Sequence, residues 1–176
     1  MRGVMVTAGA GFEGYTGGLR GGISPGVTWG ATAAIKPTKI IGLELGYSGA
    51  ANELREEAMG GEAANGPDII RNGVSAVATV GLPLEVIRLQ PYALAGVGVN
   101  RFSVRGGQAA GFRSDTSADI PVGAGLKTRV GNIAADLRFD YNFGVGEEFA
   151  PLGSRTFIGT ESARRYQGLL QVGGAF

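Results

Sequence analysis

The sequence contains no cysteine and no histidine among its 176 residues. The absence of cysteine excludes disulfide bonds, thiolate nucleophiles and zinc–sulfur sites. The absence of histidine removes the commonest general base and transition-metal ligand, so few classes of enzyme could be built from this chain. The formal net charge of +1 offers no basic excess of the kind that binds nucleic acid. We therefore expect a protein that is not an enzyme, holds no metal or cofactor and has no nucleic-acid partner.

The chain also lacks any uninterrupted apolar run that approaches the roughly 18 residues of a transmembrane helix. No signal peptide is visible, because Met1-Arg2 leads straight into a strand-like pattern. Either the protein is cytoplasmic, or the sequence is that of a mature chain that carries an added start methionine. At this length the chain is predicted to form one domain, residues 1–176.

Glycine is abundant instead, with 33 residues against 7 prolines. No Gly-X-Y period is present, which excludes collagen, and a hydrophobic fraction of 44% argues against disorder. Glycine at this density within apolar runs weakens helices and favours strands and turns.

One glycine pattern, G-x-G-x-x-G at Gly9, Gly11 and Gly14, is typical of a dinucleotide-binding loop. That loop requires a helix directly afterwards, but residues 15–26 contain five glycines and a proline. The next carboxylate after Glu13 is Glu44, too far along for the ribose-binding position. We interpret these glycines as small residues on one face of a strand, and Gly14 as the start of a loop.

Period-two alternation is clearest from residue 133 to residue 143, where apolar residues alternate with mostly charged ones. A similar run from 118 to 130 precedes it, and only Gly131-Asn132 separates the two, which predicts a two-residue hairpin. Pairing Val130 with Ile133 places Lys127 opposite Asp136 on the polar face.

Six further runs complete a prediction of eight strands, and the orientation of the run at 92–104 stays open because both its faces are apolar. In a second hairpin, pairing Ile35 with Ile41 places Trp29 beside Tyr47. The predicted connections alternate in length. Short or moderate ones fall at 37–39, 83–91 and 131–132, and long polar or glycine-rich ones at 14–26, 49–73, 105–117 and 144–165. An even number of strands with such alternation is typical of an up-and-down transmembrane β-barrel.

Alternation alone does not decide which face points into the barrel. A soluble lipocalin-like barrel would turn the apolar face inward around a small apolar ligand, and this is our alternative hypothesis. Two features favour the membrane. The charged face is also rich in glycine, as a narrow interior requires, and aromatic residues fall near strand ends, as interfacial girdles do. These aromatics are Phe12, Trp29, Tyr47, Phe102, Tyr141, Phe143 and Tyr166.

Three segments carry a specific resemblance: PYALAGVGV (Pro91–Val99), the strand pair DIPVGAGLKTRVGNIAADLRFDYNF (Asp119–Phe143) and YQGLLQVGGAF (Tyr166–Phe176). In pattern the sequence resembles the OmpA/OmpX-type eight-stranded outer-membrane barrels of Gram-negative bacteria. The resemblance implies an all-β, antiparallel barrel in the outer membrane, with membrane lipids as neighbours and a monomeric state. It also implies that the closing strand, with Tyr166 and the terminal Phe176, is read by the barrel-assembly machinery.

The predicted inward charges have both signs on one face. They are Lys36, Glu44, Asp119, Lys127, Arg129, Asp136, Arg138 and Asp140, with Arg71 and Arg101 as further candidates. Two interpretations stay open, a salt-bridge network that gates a narrow pore and a lumen simply filled by paired side chains. Because Arg138 lies between Asp136 and Asp140, we interpret these carboxylates as ion-paired instead of catalytic.

Carboxylates in the long connections could give weak calcium contacts, but solvated loop charges are the commoner outcome. These residues are Glu56, Glu57, Glu147 and Glu148. We therefore predict an integral outer-membrane barrel without catalytic activity. Its role would be structural, envelope-anchoring or exerted through surface loops, with at most slow permeation of small solutes.

Overall fold

The computed structural model shows eight antiparallel strands. It describes residues 3–16, 25–53, 68–82, 84, 88–105, 115–145 and 164–176. The strands are β1 (Gly3–Thr16), β2 (Gly26–Lys36), β3 (Ile41–Glu53), β4 (Asp68–Gly81), β5 (Leu89–Arg105), β6 (Asp115–Val130), β7 (Ile133–Val145) and β8 (Arg164–Ala175). Each strand pairs with the next, and β8 pairs with β1 to close the barrel, as the alternation predicts. Closure removes the unpaired backbone groups that an edge strand would present.

No helix in the part of the chain that the structure describes is long and apolar enough to cross a membrane.

Burial follows the period of two that the sequence predicts. In β2, the side chains from Val27 to Ile35 alternate between exposed and buried without a break. The buried set includes Thr28 and Thr32, whereas Val27 and Ile35 are 62% and 51% exposed. The apolar face therefore lies outside and the polar face inside, which is the reverse of a soluble carrier barrel.

The predicted register of the β6–β7 hairpin is confirmed. Val130 pairs with Ile133, and Lys127 lies opposite Asp136. Gly131, in the two-residue turn, has φ of +62°, a backbone conformation that glycine adopts without the steric cost of a side chain.

The predicted register of the β2–β3 hairpin is wrong by two residues. Ile35 pairs with Leu43, and Trp29 lies opposite Gly49 instead of Tyr47. The indole covers Gly49 so closely that a Cβ atom there would lie 2.4 Å from the ring. Because a shift of two residues keeps every side chain on its own face, alternation could not detect the error.

The structure settles the orientation of β5. Tyr92, Leu94 and Asn100 are buried inside the barrel, whereas Val97 and Val99 are exposed on the outer face. Several strands also extend beyond the predicted limits at the end where the four long connections lie. We call this end the loop side and the opposite end, with the shorter connections and both chain ends, the turn side.

Candidate functional site

The inward face of the loop-side half holds a first group of charges, centred on Arg71 of β4. Its Nε and Nη2 atoms donate to the two carboxylate oxygens of Glu13 at 3.1 and 2.5 Å, a bidentate pair. Its Nη1 atom donates to Ser48 Oγ at 2.9 Å and to Asn100 Oδ1 at 2.8 Å. Arg71 and Glu13 are both fully buried. A single guanidinium therefore joins β1, β3, β4 and β5 across the lumen.

The same group contains a second ion pair. Arg165 Nη2 lies 2.9 Å from Asp119 Oδ2, and Arg165 Nε lies 3.4 Å from Glu13 Oε2. Asn100 donates its Nδ2 hydrogen to Asp119 at 2.8 Å, which links the two pairs. We call the set the loop-side cluster, with the members Glu13, Arg71, Asn100, Asp119 and Arg165. Its two acidic and two basic side chains balance, which buried charges require.

A second group lies nearer the turn side. Glu44 of β3 accepts hydrogen bonds from both Lys127 and Arg138, which reach it from β6 and β7. Lys127 Nζ also lies 3.9 Å from Asp136 Oδ2, and Arg138 Nε lies 3.6 Å from Asp140 Oδ1. We call these five residues the turn-side cluster. Its three carboxylates exceed its two basic groups by one.

Tyr92 of β5 compensates part of that excess. Its hydroxyl donates to Asp136 Oδ1 at 2.7 Å, and Lys127 Nζ lies 4.0 Å from the centre of its ring. Within the described residues, Asp136 Oδ2, Arg138 Nε and Asp140 Oδ1 are buried without a hydrogen-bond partner. The loop-side cluster contains one such atom, Arg165 Nε, so the turn-side cluster is the less completely satisfied of the two.

Little open space remains between the clusters. A cavity of about 30 Å³ is lined by residues of both, including Asp119 and Arg165 on one side and Arg138 and Asp140 on the other. Such a volume has room for about one water molecule. Elsewhere in the lumen, the side-chain oxygen of Gln171 accepts hydrogen bonds from threonine hydroxyls of β1 and β2, at 3.2 and 3.1 Å. The interior is thus packed with polar side chains.

The structure places the predicted inward charges in three settings. Glu44, Asp119, Lys127, Asp136, Arg138 and Asp140 lie buried in the two clusters, together with the candidate Arg71. Lys36 is half-buried at the turn-side mouth and donates to Gln90. Arg129 lies at the same rim and donates to the backbone oxygens of Gly131 and Ala175 at 2.8 and 3.3 Å. The other candidate, Arg101, is exposed on the outer face.

Sequence reasoning missed four members of these networks, for different reasons. Glu13 lies two residues after Gly11, so alternation along β1 turns it to the same face as that glycine, but the predicted charges do not include it. Arg165 fell within a predicted loop, although extending the alternation of the last strand back from Gln167 would have turned it inward. Tyr92 and Asn100 lie on β5, the strand whose orientation the sequence leaves open.

The proposed assembly residues lie at the two ends of β8. The Tyr166 ring stacks on Phe139, with centroids 6.4 Å apart, and meets the Phe12 ring edge-on at 6.5 Å. Phe176 is 77% exposed and exchanges two backbone hydrogen bonds with Val4 of β1, at 2.8 and 3.1 Å.

Among the described residues, no group of three or more acidic side chains is arranged to hold a metal ion. The loop carboxylates weighed as weak calcium contacts lie outside the residues that the structure describes. They are Glu56, Glu57, Glu147 and Glu148.

No family model and no curated protein matches the sequence. Solved structures do match. The Neisserial surface protein A, NspA, is 17% identical with a TM-score of 0.69, over 98% of this chain and 97% of that one. Ail, the attachment invasion locus protein of Yersinia pestis, is 14% identical with a TM-score of 0.62, over 100% of both chains. The N-terminal β-barrel domain of Pseudomonas aeruginosa OprF is 16% identical with a TM-score of 0.61, over 99% of this chain and 98% of that one.

At these identities the likeness concerns the architecture. Strand number, antiparallel order and closure are those that the resemblance in sequence pattern implies. The chain therefore has the fold of the OmpA/OmpX-type eight-stranded outer-membrane β-barrels.

Proposed function

We propose that this chain is an integral β-barrel protein of the bacterial outer membrane that carries out no catalysis. Its role is structural, or is exerted through the connections at the loop side. The observation that carries this proposal is the distribution of polarity. Every one of the eight strands exposes large apolar side chains on its outer face, while the ion pairs of Glu13, Glu44 and Asp119 are buried inside.

The physical cost of this arrangement depends on the solvent. In water, an apolar surface that encircles the barrel would far exceed the few hundred Å² that soluble proteins leave exposed. In lipid the same surface is in its preferred environment, and closure satisfies every strand's backbone groups internally. The lumen then supplies the polar surroundings that buried charges need.

The competing hypothesis of a soluble lipocalin-like carrier requires a different interior. Such a carrier holds an apolar ligand in an apolar cavity. Here the inner face carries two charged clusters, and the cavity between them has a volume of about 30 Å³. That volume is below the size of a small apolar ligand. The polarity of the two faces therefore favours the membrane barrel.

The filled lumen supports a limited role in transport. Side chains from opposite strands meet at its centre, so any permeation should be slow and restricted to small solutes. A role for the loop side in surface interactions agrees with two structural neighbours, a surface protein and an attachment invasion locus protein. We further propose that the barrel is a monomer and that its closing strand, with Tyr166 and Phe176, is recognised by the assembly machinery.

The first test is the solvent in which the chain folds. After unfolding in urea, the protein should regain β-structure only when detergent or lipid is added. Trp29, the single tryptophan, is 39% exposed on the outer face, so its emission should shift to shorter wavelength on insertion. Recovery of a folded monomer from buffer without detergent would contradict the proposal.

The second test is ion conductance in planar bilayers. The wild-type barrel should give no open-pore current, because the clusters fill the lumen. Lys127→Ala and Asp136→Ala each remove one member of a pair 3.9 Å apart, but the loop-side cluster still fills the lumen, so neither should open a large pore. A large, steady wild-type conductance that neither substitution changes would contradict the proposal that the clusters fill the lumen.

A further inference from the structure

The charged side chains at the turn-side rim share one sign. Within the described residues of this rim, all charged side chains are basic, namely Lys36, Lys39, Arg88 and Arg129. The rim comprises residues 3–4, 35–41, 80–82, 84, 88–90, 128–133 and 174–176. Arg2 and Glu85, the charged residues next to these ranges in the sequence, lie outside the described residues. Of the four long connections, residues 54–67 and 146–163 mix carboxylates with basic residues, whereas residues 17–25 and 106–114 each contain a single arginine.

Buried polar contacts hold two of these basic residues in place. Gln90 of β5 is 3% exposed and lies across the lumen mouth from the β2–β3 turn. Its side-chain oxygen accepts a hydrogen bond from Lys36 Nζ, and its Nε2 atom donates to the backbone oxygen of Lys39 at 2.9 Å. The position of that turn is therefore fixed from the opposite wall of the barrel.

The other two basic residues are fixed by backbone contacts. Arg88 has φ of +53°, a left-handed conformation that side-chain-bearing residues rarely adopt, and its carbonyl oxygen accepts from Thr128 Oγ1 at 3.0 Å. The next rim residue of β6, Arg129, is tied to the carbonyl oxygens of Gly131 and Ala175. All four basic residues thus belong to a well-connected rim.

Exposed apolar side chains reach the same level. Ile40, Leu84, Val130 and Ile133 are 49%, 45%, 61% and 64% exposed. The β6–β7 turn contains only Gly131 and Asn132 beyond these residues. If the apolar band is immersed in lipid, the exposed Lys39 and Arg88 lie at the level of the lipid head groups, while Lys36 and Arg129 add their charge from the lumen mouth.

We propose that the turn-side rim binds anionic phospholipid head groups of the leaflet in which the turns lie. The inference rests on the proposed membrane location and adds a lipid preference to it. Its basis is charge complementarity, because basic side chains beside an apolar surface attract anionic lipids more strongly than zwitterionic ones. The rim thereby favours one lipid class and stabilises one depth of insertion.

The test compares two doubly substituted barrels. Lys39→Gln with Arg88→Asn removes two rim charges, and asparagine tolerates the left-handed backbone at residue 88. Arg101→Gln with Arg164→Gln removes two exposed charges from the outer face near the loop side and serves as the matched control. Each protein is inserted into phosphatidylcholine vesicles, and its folding is checked by the heat-dependent shift of its electrophoretic mobility.

Electron paramagnetic resonance then measures the association of spin-labelled phosphatidylglycerol relative to spin-labelled phosphatidylcholine. The wild type and the control should prefer phosphatidylglycerol at low salt. In the rim variant, the ratio of phosphatidylglycerol to phosphatidylcholine association should fall about two- to fivefold for each charge removed. The wild-type preference should vanish near 1 M salt, where screening acts within about 3 Å.

The outcomes separate the two proposals. A preference that is equal in the wild type and the rim variant, or that falls as much in the control, would overturn the rim proposal while the barrel still inserts. A wild-type chain that does not insert into vesicles at all would overturn the membrane location itself.

Discussion

The two charged clusters differ in how their charges are matched. The loop-side cluster sets two basic groups against two carboxylates, and Arg71 forms hydrogen bonds in several directions. The turn-side cluster sets two basic groups against three carboxylates and leaves Asp136 Oδ2 and Asp140 Oδ1 without hydrogen-bond partners among the described residues. A phenol, Tyr92, supplies one of the missing donors.

Burial does not impose a single arrangement of charges on the interior of a barrel. A balanced set of ion pairs is sensitive to the loss of any member, because each deletion leaves an unpaired buried charge. A set with a spare carboxylate can re-pair when one acid is neutralised. We therefore expect the loop-side cluster to carry more of the barrel's stability than the turn-side cluster.

The largest expected effect is that of Arg71→Met. It removes the bidentate partner of Glu13, so the free energy of unfolding should fall by about 3–5 kcal/mol. Urea unfolding in lipid vesicles, followed by Trp29 fluorescence, measures this change. The double variant Glu13→Gln with Arg71→Met should recover part of the loss, because no unpaired carboxylate remains. A single variant as stable as the wild type would contradict the importance of this pair.

A smaller effect should distinguish the two clusters directly. Glu44→Gln leaves Lys127 and Arg138 with two carboxylates, so the turn-side cluster becomes balanced and the cost should be about 1–3 kcal/mol. Glu13→Gln leaves Arg71 and Arg165 with a single carboxylate and should cost more. The same urea titration compares the two variants. Equal losses, or a larger loss for Glu44→Gln, would refute the proposed difference between the clusters.

The smallest effect is expected at Asp140. One of its oxygens accepts from Gln167 at 3.0 Å, while the other has no hydrogen-bond partner among the described residues. Asp140→Asn removes the surplus negative charge and can keep the amide contact, so stability should change by no more than about 1 kcal/mol. A loss as large as that of Arg71→Met would mean that Asp140 is an essential partner of Arg138.

Local features of the sequence were sufficient to predict much of the fold. Alternation identified the strands, and the two-residue turn at Gly131-Asn132 set the register of β6 and β7. The predicted β2–β3 register is wrong because the turn between these strands is longer and is organised by Thr38. The hydroxyl oxygen of Thr38 accepts hydrogen bonds from the backbone N–H groups of Ile40 and Ile41 at 3.2 and 2.8 Å. Several registers keep the same faces there, and packing of Trp29 on a glycine selects one of them.

The partners within the lumen could not be predicted in the same way. Alternation places a charge inside, but Glu13 and Arg71 are 58 positions apart and meet only across the closed barrel. Glu44 and Arg138 are 94 positions apart. Which pairs form depends on strand tilt and register around the whole circumference, and no local pattern encodes that geometry.

The contacts of Glu13 bear on how the barrel folds. Glu13 pairs with Arg71 on β4 and lies 3.4 Å from Arg165 on β8, the strand that closes against β1. Loop-closure entropy makes such distant encounters late events in folding. A sheet of fewer strands would expose these charges to the membrane interior, where each is costly. The loop-side cluster therefore raises the free energy of partly assembled barrels, and as a result closure and insertion are cooperative.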